Sequence, residues 1–408
     1  MRVLLSTIGS RGDVQPLVAL AVQVMTLGHD VHLCVPPDFR EWIEGLGMTV
    51  TPIGPELRTL TASRPATNMA PPSLEQRRQL AEASVRTQFE TVAVAARGCD
   101  VIVAATALQI AARSVAETMG IPYVFTAYCP AVLPSPHHAP PPMPPMPGQP
   151  APQPEVLDNR ALWARDGERF DALFGPVLNA QRASLGLTPV DDVRSHVFGE
   201  QPWLAADPTL APWPDPTDGS VIQTGAWILR DERPLARELE TFLDAGEPPV
   251  FFGFGSIRAP QDLSEVMIES ARALGRRAII LRGWADLALI DDVPDCLAIG
   301  EVNQQALFAR VAAVVHHGGA GTTTAAALAG APQVVIPQMY DQHYWARRVQ
   351  ELGVGTAHAS GAPTKDSLTS ALECTLASEV ANHARSIGAA VRMDGALVAA
   401  ERLTSRQR

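Results

Sequence analysis

The chain has 408 residues, 46% of them apolar, and a formal net charge of −11, a length about twice that of a usual domain with enough apolar material for two cores. An acidic chain is a poor partner for nucleic acid or an anionic membrane, and no apolar run approaches the ~18 residues that span a bilayer. Five scattered cysteines without CxxC spacing (Cys34, Cys99, Cys129, Cys296, Cys374) argue against a disulfide framework or a zinc site and for a reducing, cytoplasmic compartment.

Residues 2–8 form a short, mostly apolar run stopped by Gly9. It meets Gly9, Arg11 and Asp13 too soon for a secretory signal and reads as a buried first strand. A helical pattern over 15–27, closed by Gly28, leads to a second strand at Val31–Val35. Strand, helix and strand in this order make a βαβ unit, hence a parallel sheet. The unit returns as Asp100–Ala104, a helical stretch near 108–119, Gly120 and Ile121–Thr126. Between Pro134 and Pro154 stand eleven prolines with His137 and His138, a density that excludes helix and central strand. This is an exposed loop of the first domain, either a binding loop or a disordered one. The Pro- and Trp-rich stretch Pro208–Asp218 opens a boundary region that ends by residue 248. Beyond it, Pro249–Phe254 is a strand running into Gly255-Ser256, followed by a helical stretch near 261–274 and the strand Arg277–Arg282. Ala312–His316, a helix from about Gly321, Gly330 and the strand Gln333–Pro337 repeat the style. The reading is α/β: two Rossmann-like, doubly wound domains.

The run from Val314 through His316, His317, Gly318, Gly319, Ala320 and Gly321 to Thr322-Thr323-Thr324 takes an apolar strand into a glycine cluster and an Ala-rich helix. The N–H groups opening such a helix face the strand's carboxyl end, and glycines let a phosphate approach the backbone. Thr322 or Thr323 adds a hydroxyl donor, and His316 a ring N–H or a positive charge. Lys365, the single lysine among 32 basic residues, is far off in sequence, so no GxxxxGK[ST] loop exists. No acidic cluster for Mg²⁺ stands near either. Helix dipole and histidine are then the means to stabilise a departing diphosphate, with no metal and no cofactor. The plain alternative is a glycine-rich turn with two surface histidines. Downstream, Ile336-Pro337-Gln338-Met339-Tyr340-Asp341-Gln342 returns to the same edge of the sheet. Asp341 and Gln342 offer a donor and acceptors suited to sugar hydroxyls, unless Asp341 is simply a helix N-cap.

These residues, His316 through Thr323 with Pro337-Gln338 and Asp341-Gln342, resemble the donor-binding signature of family 1 glycosyltransferases. They look most like the bacterial subgroup that glycosylates antibiotics of the vancomycin and teicoplanin type. The likeness extends through Met1–Pro16, Pro202–Pro208, Gln223–Trp227, Asp231–Leu235, Gly253–Ser256, Arg282–Trp284 and Gly300–Asn303. It implies the GT-B fold, with two Rossmann-like domains facing across a cleft. Residues 1–220 would bind the acceptor and 221–388 the nucleotide sugar, while 389–408 form a helix packing back on the first domain. It implies a monomer that moves a sugar, with inversion, from a UDP- or TDP-linked donor to a hydroxyl of a glycopeptide-like small molecule. Ser256 would touch the donor phosphate, and His316, Gly319, Ala320, Gly321 and Thr322 would hold the diphosphate. Val302 and Arg282 would meet the base, and Asp341 and Gln342 the sugar. The tryptophan on which many plant relatives stack the base is missing near Glu301-Val302, as it is in the bacterial subgroup.

Gly12-Asp13-Val14-Gln15-Pro16 resembles the family's Gly-His/Asp-x-x-Pro motif, which makes Asp13 the candidate base and lets Ser10 and Arg11 reach the donor phosphate. A helix N-terminus lowers a carboxylate's pKa and a dry site raises it, so the two act against each other here. Gln338-Met339 with Asp341-Gln342 is closer to subgroup members that use glucose or N-acetylglucosamine than to those using amino-deoxysugars. Two rivals share the fold. A sugar-nucleotide epimerase would need no acceptor wall, and a non-catalytic partner protein would tend to lose the His-Gly motif.

Overall fold

Short strands buried on both faces build both halves of the chain. The computed structural model describes residues 1–59, 73–142, 157–217, 219–255, 263–285, 287–359 and 361–405. Its first sheet contains β1 (Arg2–Thr7), β2 (Asp30–Val35), β3 (Thr49–Pro52), β4 (Val101–Ala105), β5 (Tyr123–Ala127), β6 (Trp203–Leu204) and β7 (Ile222–Gln223). These strands are all parallel, in the order β3-β2-β1-β4-β5-β6-β7. Helices α1 (Arg11–Thr26), α2 (Arg40–Glu44), α3 (Leu74–Ala95), α4 (Ala112–Met119), α5 (Asn159–Ser184) and α6 (Val193–Phe198) connect them. The order reverses between β1 and β4, and in such sheets ligands bind beyond the carboxyl ends of the strands at that point.

The second sheet has the order β10-β9-β8-β11-β12-β13, again parallel. Its strands are β8 (Val250–Gly253), β9 (Ala278–Leu281), β10 (Cys296–Ile299), β11 (Ala313–His316), β12 (Gln333–Val335) and β13 (Gly355–Ala357). Its helices are α7 (Arg237–Asp244), α8 (Leu263–Ala273), α9 (Gln304–Phe308), α10 (Ala320–Leu328), α11 (Gln342–Glu351), α12 (Lys365–Thr375) and α13 (Ser378–Ala390). Phe252, Ile280 and Val315 pack with Met267 of α8 and Leu368 of α12 on one face. Their neighbours Phe251, Ile279 and Val314 pack with Leu239 of α7 and Phe308 of α9 on the other. Period-two strands covered on both sides are the condition for a parallel sheet, and each such side chain stabilises the fold by about 1.5–3 kcal/mol.

Contacts divide the chain into two units. One holds residues 1–206, 212–229 and 393–408, and the other 207–211 and 230–392. The switch therefore falls at 229/230, where the sequence reading placed it at 220/221, and the C-terminal return starts at 393 instead of 389. The last helix, α14 (Gly395–Ser405), packs on α1 within the first unit.

Two helix starts differ from expectation. Helix α1 begins at Arg11, not at 15, with Pro16 inside it. Ser10 and Asp13 nucleate the turn ahead of the proline, whose ring is tolerated that near the end. Helix α4 begins at Ala112, not near 108, because Thr106 takes a left-handed φ of 74° and turns the chain first.

At the described base of the proline-rich segment, His138 Nε2 bonds the Leu133 carbonyl at 2.9 Å, and the His138 carbonyl accepts from Trp163 Nε1 at 2.8 Å. The rest of that loop, from residue 143, lies outside the described residues. Lys365 is half exposed and paired with Glu269 at 3.1 Å.

Candidate active site

Past β1 the chain turns at Gly9 and enters α1 with Ser10 at the N-cap. Asp13, third in the helix, folds back so that its Oδ2 accepts from the Ser10 N–H at 2.7 Å and the Ser10 hydroxyl at 3.3 Å. Only glycine fits before them, since a Cβ at Gly9 would lie 2.2 Å from that Oδ2. Both bonds fall on one oxygen and leave Oδ1 outside them. Burial drives the Asp13 carboxyl up to about 6, although the Ser10 hydrogen bonds lower it. Desolvation thus outweighs the helix terminus. At pH 7 the group is still mostly ionised, and it is a stronger base than an ordinary carboxylate. Tyr128, just past β5, donates its hydroxyl to the Asp13 carbonyl at 3.0 Å, bracing the first turn of α1 against the strand end. Burial, with the Asp13 charge, holds this phenol protonated.

Ser10 and Arg11, expected at the donor phosphate, both make contacts within this loop. The Ser10 hydroxyl is on Asp13. The Arg11 guanidinium lies 3.5 Å from the centre of the Trp42 ring, and its Nε bonds Gln15 at 2.8 Å.

In the second unit β11 runs through His316 to Gly318, Gly319 at the N-cap, and α10. Gly318 has φ +90°, and a Cβ there would be 2.7 Å from Val335 Cγ1 and 3.0 Å from the Gln342 carbonyl. Glycine is therefore the residue that lets the strand turn onto the helix. The opening of α10 is accessible: Gly321 is exposed, and Gly319, Ala320 and Thr322 are half-buried. The first intrahelical bond runs from the Thr323 N–H to the Gly319 carbonyl, so the N–H groups of Ala320, Gly321 and Thr322 precede the ladder and point outward. Thr323 and Thr324 turn their hydroxyls to the carbonyls of Gly319 (2.9 Å) and Ala320 (2.8 Å). Of the three threonines, Thr322 keeps a hydroxyl for the helix mouth.

The histidines depart from both sequence readings. His316 is fully buried; its Nε2 pairs with Gln333 Oε1 at 2.9 Å and its Nδ1 accepts the Gly318 N–H at 3.1 Å. Burial pushes its pKa down to about 3. It offers neither a free ring N–H nor a positive charge to a ligand, and it holds the loop instead. His317 is not a surface group either. Burial lowers it to about 4, its Nδ1 has no hydrogen-bond partner, and its Nε2 would be 2.7 Å from a Cβ at Gly319. The ring thus lies against the mouth of α10.

Asp341 occupies the N-cap of α11 without a side-chain cap bond. Buried Gln342 uses its Oε1 to accept from the N–H groups of Gln338 (2.7 Å) and Met339 (3.1 Å). Its carbonyl is therefore committed to the loop that presents Asp341. Arg282, exposed at the end of β9, lines a recess of about 390 Å³ with Leu287, Ala288, Leu289 and Ala298. Val302 is half-buried against the β9–β11 core. Ser256 lies outside the described residues.

Residues 3–135 match the glycosyltransferase family 28 N-terminal domain, and residues 266–397 a C-terminal domain described as erythromycin biosynthesis protein CIII-like. The chain is 50% identical over 405 residues to the vancomycin aglycone glucosyltransferase of Amycolatopsis orientalis, covering 99% of this chain and 97% of that one. The chain belongs to the family 1 glycosyltransferases. The dTDP-epi-vancosaminyltransferase of the same organism is 43% identical over 395 residues, covering 95% and 93% of the two chains. The solved glycotransferase of kitacinnamycin matches with a TM-score of 0.73 at 20% identity, covering 100% of this chain and 98% of its own. The glycosyltransferase therefore has the GT-B fold, and the epimerase and non-catalytic alternatives fall away. Sequence reasoning on this glycosyltransferase missed Tyr128 and His317. His317 stood inside the motif, whereas nothing in the spacing links Tyr128 to Asp13, 115 residues away.

Proposed function

We propose that this glycosyltransferase moves glucose, or a closely similar hexose, from a uridine- or thymidine-diphosphate donor to a hydroxyl of a glycopeptide antibiotic aglycone, with inversion and without a metal ion. The carrying observation is the open N-terminus of α10, where the N–H groups of Ala320, Gly321 and Thr322 and the Thr322 hydroxyl meet at the carboxyl end of β11. Backbone donors and a positive helix end form a seat for a diphosphate.

In this mechanism Asp13 takes the proton of the acceptor hydroxyl, whose oxygen attacks the anomeric carbon opposite the diphosphate. The bond from that carbon to the phosphate oxygen breaks, and the amides of α10 carry the charge that appears. Asp341 receives sugar hydroxyls, Ser256 a donor phosphate, and Arg282 and the Val302 backbone the base. The greater identity to the glucosyl enzyme (50%) than to the vancosaminyl enzyme (43%) favours glucose. Among the described residues no group of three or more His, Cys, Asp or Glu is placed to hold a metal ion, and no helix is long and apolar enough to cross a membrane. We take the enzyme to act as a cytoplasmic monomer.

The test is a mass-shift screen of glycopeptide aglycones against UDP- and TDP-sugars, with and without a chelator. A gain of one hexose, unchanged by chelation, is expected. Failure on every aglycone would overturn the acceptor class, and loss of activity on chelation would overturn metal independence.

A further inference from the structure

Among the described non-glycine residues only Thr106 and Tyr340 hold a left-handed backbone. Tyr340, at φ 51°, stands one residue before Asp341 in the loop between β12 and α11. Glycine adopts this conformation freely and an aromatic residue does not. The loop is pinned there. Besides its two side-chain bonds, Gln342 donates its own N–H to the Met339 carbonyl at 3.2 Å. Packing does not account for the aromatic side chain, since Tyr340 is 47% exposed and its neighbour Met339 46%. The backbone would be better served by glycine and the core has no use for the ring, yet a tyrosine stands beside Asp341 at the ligand-binding edge of the sheet. Residues held in such backbone regions gather at ligand clamps.

We propose that Tyr340 is a specificity-determining residue for the donor sugar, its ring packing on the apolar C–H face of the hexose whose hydroxyls Asp341 meets. This rests on the donor-site reading above. A pyranose with equatorial hydroxyls presents a flat face of axial C–H groups, and the negative face of an aromatic ring attracts their polarised hydrogens. An axial hydroxyl or amine on that face lifts the sugar off the ring. Tyr340 therefore selects glucose-type hexoses over sugars with axial substituents there.

Calorimetric titration of the full chain with UDP, UDP-glucose, TDP and TDP-glucose tests this for wild type, Tyr340→Gly, Tyr340→Phe and Asp341→Asn. For the nucleotide pair that binds, Tyr340→Gly is expected to weaken the sugar nucleotide about 3–10-fold. The bare diphosphate stays within about twofold, Tyr340→Phe matches wild type, and the melting temperature of Tyr340→Gly is unchanged or higher. Equal loss of diphosphate and sugar nucleotide in Tyr340→Gly would assign the ring to the nucleotide or the loop and overturn the proposal. Unchanged sugar-nucleotide affinity in Tyr340→Gly, with a loss in Asp341→Asn, overturns the role of Tyr340 alone. If neither substitution changes it, the donor-site reading is wrong and the proposal goes with it.

Discussion

The pH dependence of transfer follows from how Asp13 is held. With its carboxyl raised to about 6, it is about 90% ionised at pH 7 and about 10% at pH 5, so kcat/KM should fall about tenfold between them. A carboxyl at the ordinary 3.8 would lose almost nothing over that range. Ser10→Ala removes the long hydroxyl bond to Oδ2 and keeps the backbone one. Loss of a donor to the charged form should move the acid limb upward by about half a unit. Stability follows with its own sign. A carboxyl that binds its proton more tightly when folded destabilises the fold above its folded pKa, and this penalty is relieved as pH falls through 6 toward 3.8. The full shift corresponds to about 3 kcal/mol, and partial solvent access screens it to about 1–2 kcal/mol. Asp13→Asn still accepts from the Ser10 N–H and should gain that stability in urea denaturation at pH 7.5, gain only a small part of it at pH 4, and lose transfer. A wild-type profile flat to pH 4.5, or full activity in Asp13→Asn, would refute the assignment of the base.

Gly318→Ala must adopt φ +90° and place its Cβ 2.7 Å from Val335 Cγ1. Denaturant unfolding should show a loss of about 2–4 kcal/mol, and calorimetry a weaker diphosphate. Gly395→Ala puts its Cβ 2.4 Å from the Gly225 carbonyl carbon and 2.5 Å from the Ala226 oxygen, backbone atoms that cannot step aside. It should detach α14, at about 2–4 kcal/mol, seen as faster proteolysis of the C-terminus. His316→Phe strands buried Gln333 and the Gly318 N–H. It should cost about 2–4 kcal/mol of stability and leave the midpoint of the acid limb in place, because the native ring is neutral across that range.

The short continuous apolar runs made the two parallel sheets legible, since a strand buried on both faces carries that signature in sequence. Parity would also have settled His316. It lies two residues after Val314, on the same face of a covered sheet, and its burial follows from that spacing. Reading it as a ligand-facing donor let the motif override the period. Pro16 hid the first turn of α1 because proline inside a helix normally ends it. The double use of Ser10, the reach of Tyr128 and the commitment of Gln342 to its own loop were not legible. Each depends on where a side chain turns after the backbone is set, and no spacing in the sequence encodes that.

The full burial of His316 and the partial burial of His317 bear on how a diphosphate can leave. With His316 and His317 held neutral, the positive potential at the mouth of α10 comes from peptide dipoles, equivalent to about half a charge. That is not a deficit. A preorganised N–H aimed at developing charge is worth about 2.7–4 kcal/mol of barrier in a water-excluded site. Dipoles do not titrate. Leaving-group assistance in the proposed mechanism is then constant from acid to neutral pH, and the acid limb of the profile reports Asp13 alone. An imidazolium there would have added a second, opposing limb near 6.5, so the shape of the profile separates the two accounts in one experiment.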